Sequence, residues 1–280
     1  VKACRVHILR AGACRHPETM TREGTSWRSL EFPALVALIL HPDAGPILFD
    51  TGYDPAFFAA TEAFPERLYR WTTPVEFRPE EAVAEQLPRF GIQPEDVTAI
   101  VISHFHGDHV AGLHRFARAR IYCARAGAAQ LVQGNRLSRV RKGVLSALAP
   151  ADLVERAVWF EDRPRIALSA DLAPFETGAD LLGDGSLIAV PLPGHCPGHW
   201  GLLMRQYDGR MRFLIGDAAW SSGAVRDDAP PPRLTTGLLG DTEACRRTLH
   251  DLHRLWHRNS EIAVTPSHCG EVAHDSGGHG

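Results

Sequence analysis

No stretch of this 280-residue chain is apolar for the 18 or so residues that a membrane-spanning helix needs. The longest run, Phe32 to Leu40, suits a buried strand instead. There is no C-x-x-C pair. The six cysteines stand at 4, 14, 123, 196, 245 and 269, which excludes a zinc ribbon and a thioredoxin-type redox pair. Scattered so in a chain long enough to bury its own core, they read as free thiols in a reducing, cytoplasmic setting. Charge of either sign is not in excess: 30 basic against 33 acidic residues leave a net −3, too little to gather nucleic acid. The local basic run from Asn135 to Lys142 reads as a solvated face. Repeats, low-complexity blocks and linkers are also missing, so one domain over 1–280 is expected. The opening "VKACRVHILRAG" has no signal-peptide core, although a first residue of Val leaves open a segment removed ahead of it.

What the chain does contain is strands that stop at polar residues. "FPALVALIL" and "GPILFDTG" flank the turn-like "HPDA" and predict a hairpin that ends at Asp50. Residues 53–80 gather aromatics (Phe57, Phe58, Phe64, Tyr69, Trp71, Phe77), as a lid or pocket wall would, and equally as a packed helix pair would. "PEEAVAEQLPRFG" predicts a short amphipathic helix with Pro79 at its start and Gly91 past its end. "DVTAIVIS" is a strand, and "HVAGLHRFARA" after it reads as helix. "SLIAVPLPGHCPGHWGLLM" is strand, loop, strand; "MRFLIGD" is a strand ending at Asp217; "EIAVTPSH" is one running into His268. Asp241 is the N-cap of a helix that presents Leu249, Leu252 and Trp256 on one face. "DDAPPPR" reads as an exposed loop, and 271–280 as a disordered tail.

The densest chemistry is "SHFHGDHVAG", which sets His104, His106, Asp108 and His109 directly after a strand. His195, Asp217 and His268 also stand at strand ends. Neutral imidazole and carboxylate are ligands for zinc, and also for iron, manganese or cobalt. Seven such residues exceed one tetrahedral ion. They suit a pair of divalent ions about 3.5–4 Å apart, which would activate a bridging hydroxide at neutral pH.

"HFHGDH", with "DTG" before it and "PGHCPGH", "GDAAW" and "PSHC" after it, resembles the metallo-β-lactamase-fold hydrolases in motif and in motif order from residue 50 to residue 268. The resemblance implies an α/β fold, an αβ/βα four-layer sandwich of two mixed sheets with helices outside and metals at one edge. It implies His104, His106 and His195 on one ion, Asp108, His109 and His268 on the other, and Asp217 bridging. Asp50 and His199 would support the site without binding metal. Asp108 would also act catalytically, orienting the hydroxide and passing a proton to the leaving group. Cys196 and Cys269 adjoin ligands, but neighbours on an extended loop point apart, so neither is counted. The other histidines, His16 among them, are assigned to surface or packing.

A complete seven-residue set resembles that of N-acyl-homoserine lactonases, glyoxalase-II-type thioesterases and some aryl-ester and organophosphate hydrolases. The aromatic stretch favours the lactonases and a small substrate with an apolar portion, its wall formed by Phe57, Phe58, Phe64, Tyr69, Trp71 and Trp220. One departure counts against it: many lactonases carry a Tyr shortly after the bridging Asp, where this chain has Trp220. Thioester, aryl-ester or phosphotriester hydrolysis is the alternative, and a non-catalytic metal-binding protein a more distant one. A homodimer is compatible with the sequence; nucleic-acid and membrane partners are not expected.

Overall fold

The computed structural model describes residues 2–276. Strands β1 (Arg5–Pro17) and β2 (Ser29–His41) pair antiparallel, and a tight turn leads from β2 into β3 (Gly45–Phe49), as the hairpin signal predicts. With β4 (Val75–Glu76), β5 (Ala99–Val101), β6 (Arg120–Cys123) and β7 (Ala157–Trp159) they form a seven-stranded sheet in the order β4-β1-β2-β3-β5-β6-β7. The second sheet has six strands: β8 (Arg165–Ala167), β9 (Thr177–Asp180), β10 (Leu187–Pro191), β11 (Trp200–Arg205), β12 (Met211–Gly216) and β13 (Ala263–Pro266), in the order β13-β12-β11-β10-β9-β8.

The unbroken apolar run of β2 is explained by burial on both faces. Val36 and Leu38 pack outward beneath helices, whereas Ala37 and Ile39 meet the second sheet. Between the sheets, Phe49 and Val101 of one face Leu202 and Leu214 of the other. On the far side, Val190, Leu203 and Phe213 pack beneath Leu249, Leu252 and Leu255 of the helix Thr242–Arg258, whose N-cap Asp241 accepts from the Ala244 N–H at 3.0 Å. Helix, sheet, sheet, helix is the four-layer α/β sandwich expected.

Several local expectations fail for local reasons. The single helix predicted over 79–90 is broken into a 3-10 turn Pro79–Glu81, an α-turn Val83–Gln86 and a 3-10 turn Leu87–Phe90, because Ala82 is extended and Pro88 offers no N–H. The helix after the histidine cluster is only Gly107–Val110, followed by a 3-10 turn Leu113–Arg115. Short helices Ser222–Asp227 and Arg233–Leu239 flank the proline-rich loop. The predicted disordered tail begins as a helix, Gly270–Ser276, and 277–280 lie outside the described residues. Among the described residues no helix is long and apolar enough to cross a membrane. All six cysteines are free and buried.

Candidate metal centre

Backbone periodicity explains how one short segment supplies four candidate ligands. After β5 the chain stays extended through His106, whose φ and ψ are −72° and 156°. His104 and His106, two apart, therefore share a side, while Phe105 between them is buried in the core. The helical turn Gly107–Val110 then swings Asp108 and His109 to the same place. Three more loops converge from the second sheet, after β10, β12 and β13, bringing His195, Asp217 and His268. Backbone bonds seat them: the Trp200 N–H donates to the Ser103 carbonyl at 3.0 Å, and the Ser267 N–H to the Gly216 carbonyl at 3.2 Å.

The donor atoms of these residues face one another. His195 Nε2 lies 3.0 Å from His106 Nδ1. Asp217 divides the cluster in two. Its Oδ2 lies 3.9 Å from His104 Nε2 and 3.4 Å from His195 Nε2, and its Oδ1 lies 3.3 Å from His109 Nε2 and 3.2 Å from His268 Nε2. Asp108 Oδ2 stands 3.6 Å from His109 Nε2 and 3.3 Å from His268 Nε2. Donors held ~2.0–2.2 Å from a tetrahedral ion lie roughly 3.3–3.6 Å apart, so these spacings suit edges of two ligand shells sharing Asp217. The stronger test is hydrogen bonding. His104 Nε2, His109 Nε2, His268 Nε2 and Asp217 Oδ1 are buried without a hydrogen-bond partner. Buried polar atoms rarely go unsatisfied, and a cation is what this donor set would satisfy.

The other nitrogens are fixed by the protein. His109 Nδ1 donates to Asp50 Oδ2 at 2.8 Å. The Ser103 hydroxyl donates to the same oxygen at 2.7 Å and accepts from His104 Nδ1 at 3.0 Å, while the Ser103 N–H donates to Asp50 Oδ1 at 2.8 Å. His268 Nδ1 donates to the Pro33 carbonyl at 2.8 Å. Each bond sets the tautomer that leaves Nε2 bare. His199 engages both nitrogens elsewhere, donating to the Leu192 carbonyl at 3.1 Å and accepting the Asp217 N–H at 3.0 Å, so it holds Asp217 in place.

Gly194 sets the position of His195. Its φ is +130°, and a Cβ there would come within 2.1 Å of the Cys245 N of the neighbouring helix. Gly194→Ala is predicted to cost roughly 1–3 kcal/mol and to impair metal uptake, read as a lower melting temperature and metal content. Because the loop turns here instead of running extended, Cys196 does not point away. It joins a group with His104, His106 and His195 whose potential ligand atoms all lie within 4.8 Å of one another.

Electrostatics separates the two halves. Burial, reinforced by neighbouring imidazoles, holds His104 well below the usual histidine range; burial also takes His195 well down and His106 down to about 4. In the other half burial opposes the charged forms but is outweighed. Asp217 and Asp108 push His109 and His268 well above the usual range, and the imidazoles in turn depress Asp108 and Asp217. Ligands must shed protons to bind an ion, so loading of the Asp108 half should weaken more steeply on acidification than loading of the His104 half, which metal titrations at several pH values read directly.

The centre opens into a cavity of about 450 Å³, lined by His106, Asp108, His195 and Asp217 at its floor and by mostly apolar walls that include Met20, Trp27, Val140 and Leu238. Tyr69 and Trp220 are in that lining; Phe57, Phe58, Phe64 and Trp71 are not. Phe57 is fully buried beneath Gly107, Phe58 packs against the core, and Phe64 and Trp71 are 68% and 65% exposed. Residues 53–72 form two short helices, Pro55–Ala60 and Arg67–Thr72, so aromatics two positions apart point to different sides. Two wall elements escaped the sequence reading. His16 lines the cavity with Cys14, two residues before it on β1, a period-2 signal that was present but unread. Thr235, Thr236, Leu238 and Leu239 belong to the helix after the proline-rich loop, where no periodic pattern announced them.

Known proteins share this architecture. The sequence profile of the metallo-β-lactamase superfamily matches residues 31–255. An N-acyl homoserine lactonase, AttM, of Azorhizobium caulinodans is 27% identical over 278 residues, covering 93% of this chain and 92% of that protein. The lactonase AiiB of Agrobacterium fabrum is 27% identical over 244 residues, covering 84% and 79%. Among solved structures, an N-acyl homoserine lactone hydrolase with N-hexanoyl-L-homoserine bound at its catalytic metal centre superposes with a TM-score of 0.72 at 17% identity, over 98% of this chain and 97% of that one. AidC, a dizinc quorum-quenching lactonase, does so at 0.65 and 14%, over 96% and 89%.

Proposed function

Because this chain belongs to the metallo-β-lactamase superfamily, we propose that it is a metallohydrolase holding two divalent ions, zinc foremost, and opening lactones such as N-acyl-homoserine lactones. The observation that carries this reading is the meeting of two features: buried donor atoms without protein partners, and an apolar cavity that ends on them. Ions bound there supply a nucleophile from water at neutral pH and Lewis acidity toward a carbonyl. His104, His106 and His195 would hold one, Asp108, His109 and His268 the other, with Asp217 shared and Asp50 and His199 behind them.

The chain's own contributions follow from the same geometry. The cavity wall takes the apolar portion of the substrate and excludes water from it. Asp108 stays ionised at neutral pH, so its carboxylate can take a proton as water adds to the ring carbonyl carbon. The ring C–O bond then breaks, and the ring oxygen leaves with that proton.

One observation keeps a second reading in view: Trp220, a donor through N–H alone, stands on the wall after Asp217. Thioester, aryl-ester or phosphotriester hydrolysis is therefore the alternative. The test is a panel of lactones of increasing acyl length beside a glutathione thioester, an aryl ester and a phosphotriester, on protein of measured metal content. Lactones should be the best substrates, with activity lost on chelation and restored by zinc. Faster turnover of the thioester or phosphotriester would reverse the order of the two readings.

A further inference from the structure

We propose that the Tyr69 phenol is the hydrogen-bond donor that the reacting carbonyl oxygen meets beside the metal ligands, an assignment that rests on the lactonase reading above. Tyr69 lies on the helix Arg67–Thr72, far in sequence from every candidate ligand. Its ring packs edge-on against the buried Phe57, with centroids 5.4 Å apart, and its side chain lines the cavity next to His106 and Asp108. The Gly107 N–H, between those two residues, donates to the Gly143 carbonyl at 3.2 Å. Among the described residues the Tyr69 phenol proton has no acceptor, and it is left for a molecule in the cavity.

Three hydroxyls of the wall are already engaged. The Thr21 hydroxyl donates to the Glu18 carbonyl at 2.9 Å, that of Thr72 to the Leu68 carbonyl at 3.0 Å, and that of Thr236 to the Pro232 carbonyl at 3.3 Å. Trp220 sits across the centre against His268, with ring centroids 4.6 Å apart. The nearby Tyr53 is fully buried outside the cavity lining. A neutral phenol is both donor and acceptor, and burial keeps Tyr69 in that form. A donor aimed at an oxygen that gains charge in the transition state acts on kcat more than on KM.

The experiment compares wild type, Tyr69→Phe and protein with fluorinated tyrosines at position 69, all on the substrate the wild type turns over fastest. Tyr69→Phe should lower kcat by about 10²-fold, the effect of removing one such donor, with KM within a few-fold and metal content unchanged. Fluorination changes the phenol's acidity but hardly its size, so the rate should follow that acidity while the ring stays neutral; a purely packing role would leave it flat. A Tyr69→Phe enzyme within about 3-fold of wild type in kcat, or a rate indifferent to fluorination, overturns the assignment. If lactones are not substrates but another ester is, the lactonase reading falls alone and the comparison on that ester still decides the role of Tyr69. A metal-loaded wild type inert on the whole panel overturns both.

Discussion

His106→Ala and Asp108→Ala should each lower lactone turnover about 10³-fold or more, while the protein stays folded. The two variants should fail differently. His106 Nδ1 faces His195 Nε2 at 3.0 Å, and removing it strips one half of the cluster of a donor while leaving Asp108, His109 and His268 in place. One ion per chain should then be lost from that half. Asp108→Ala acts on the other half. It removes the carboxylate 3.6 and 3.3 Å from His109 and His268, and with it the group proposed to carry a proton to the leaving oxygen. Asp108→Asn keeps the shape and loses the base, so it should retain more metal than Asp108→Ala and remain nearly as inactive. Elemental analysis beside kinetics reads both; turnover at the wild-type rate in either alanine variant would end the assignment of these residues.

Asp50→Asn should weaken metal binding by about 10- to 100-fold, the usual range for a hydrogen-bond partner behind a ligand, although Asp50 itself faces none of the open donor atoms. Its Oδ2 accepts from both the Ser103 hydroxyl and His109 Nδ1. An amide NH2 in that position confronts His109 Nδ1–H with another donor. Relief requires moving the His109 proton to Nε2, which would occupy the lone pair needed for an ion. Competition with a coloured chelator measures the affinity. An Asp50→Asn protein that holds both ions as tightly as wild type would show that the buried carboxylate serves only to shape the turn at its φ of 63°.

The sequence disclosed the strand ends whose histidines and aspartates converge because their chemistry is local. "HFHGDH" needs only an extended stretch followed by one helical turn, and period 2 followed by period 3.6 can be read from six residues. "DTG" was legible for the same reason: a polar residue stopping an apolar strand has few structural uses. The cavity wall was not legible. Trp71 and Tyr69 have the same apolar character on paper, but a short helix sends one to solvent and the other to the cavity beside the histidine–aspartate cluster. His16 was passed over because a lone histidine on a partly alternating strand carries no sign of what lies across from it. The 79–90 segment was read as one helix because its apolar spacing is helical. Pro88 and the extended Ala82 decide otherwise, through backbone hydrogen bonding that spacing does not encode.

Asp50 and the residues His104 to His109 extend from the first sheet, whereas His195, Asp217 and His268 extend from the second. Bound ions would therefore rivet the two halves of the sandwich along one rim. Below that rim the halves adhere through side-chain packing and a few hydrogen bonds, such as that from the Cys4 N–H to the Arg205 carbonyl at 2.8 Å. Occupancy then becomes a component of folding: free ion at 100 times its dissociation constant adds about 2.7 kcal/mol per site. A cell's trace-metal supply would govern how long the polypeptide survives its proteases as well as how fast it works, and starvation for the ion should show first as clipping at this rim.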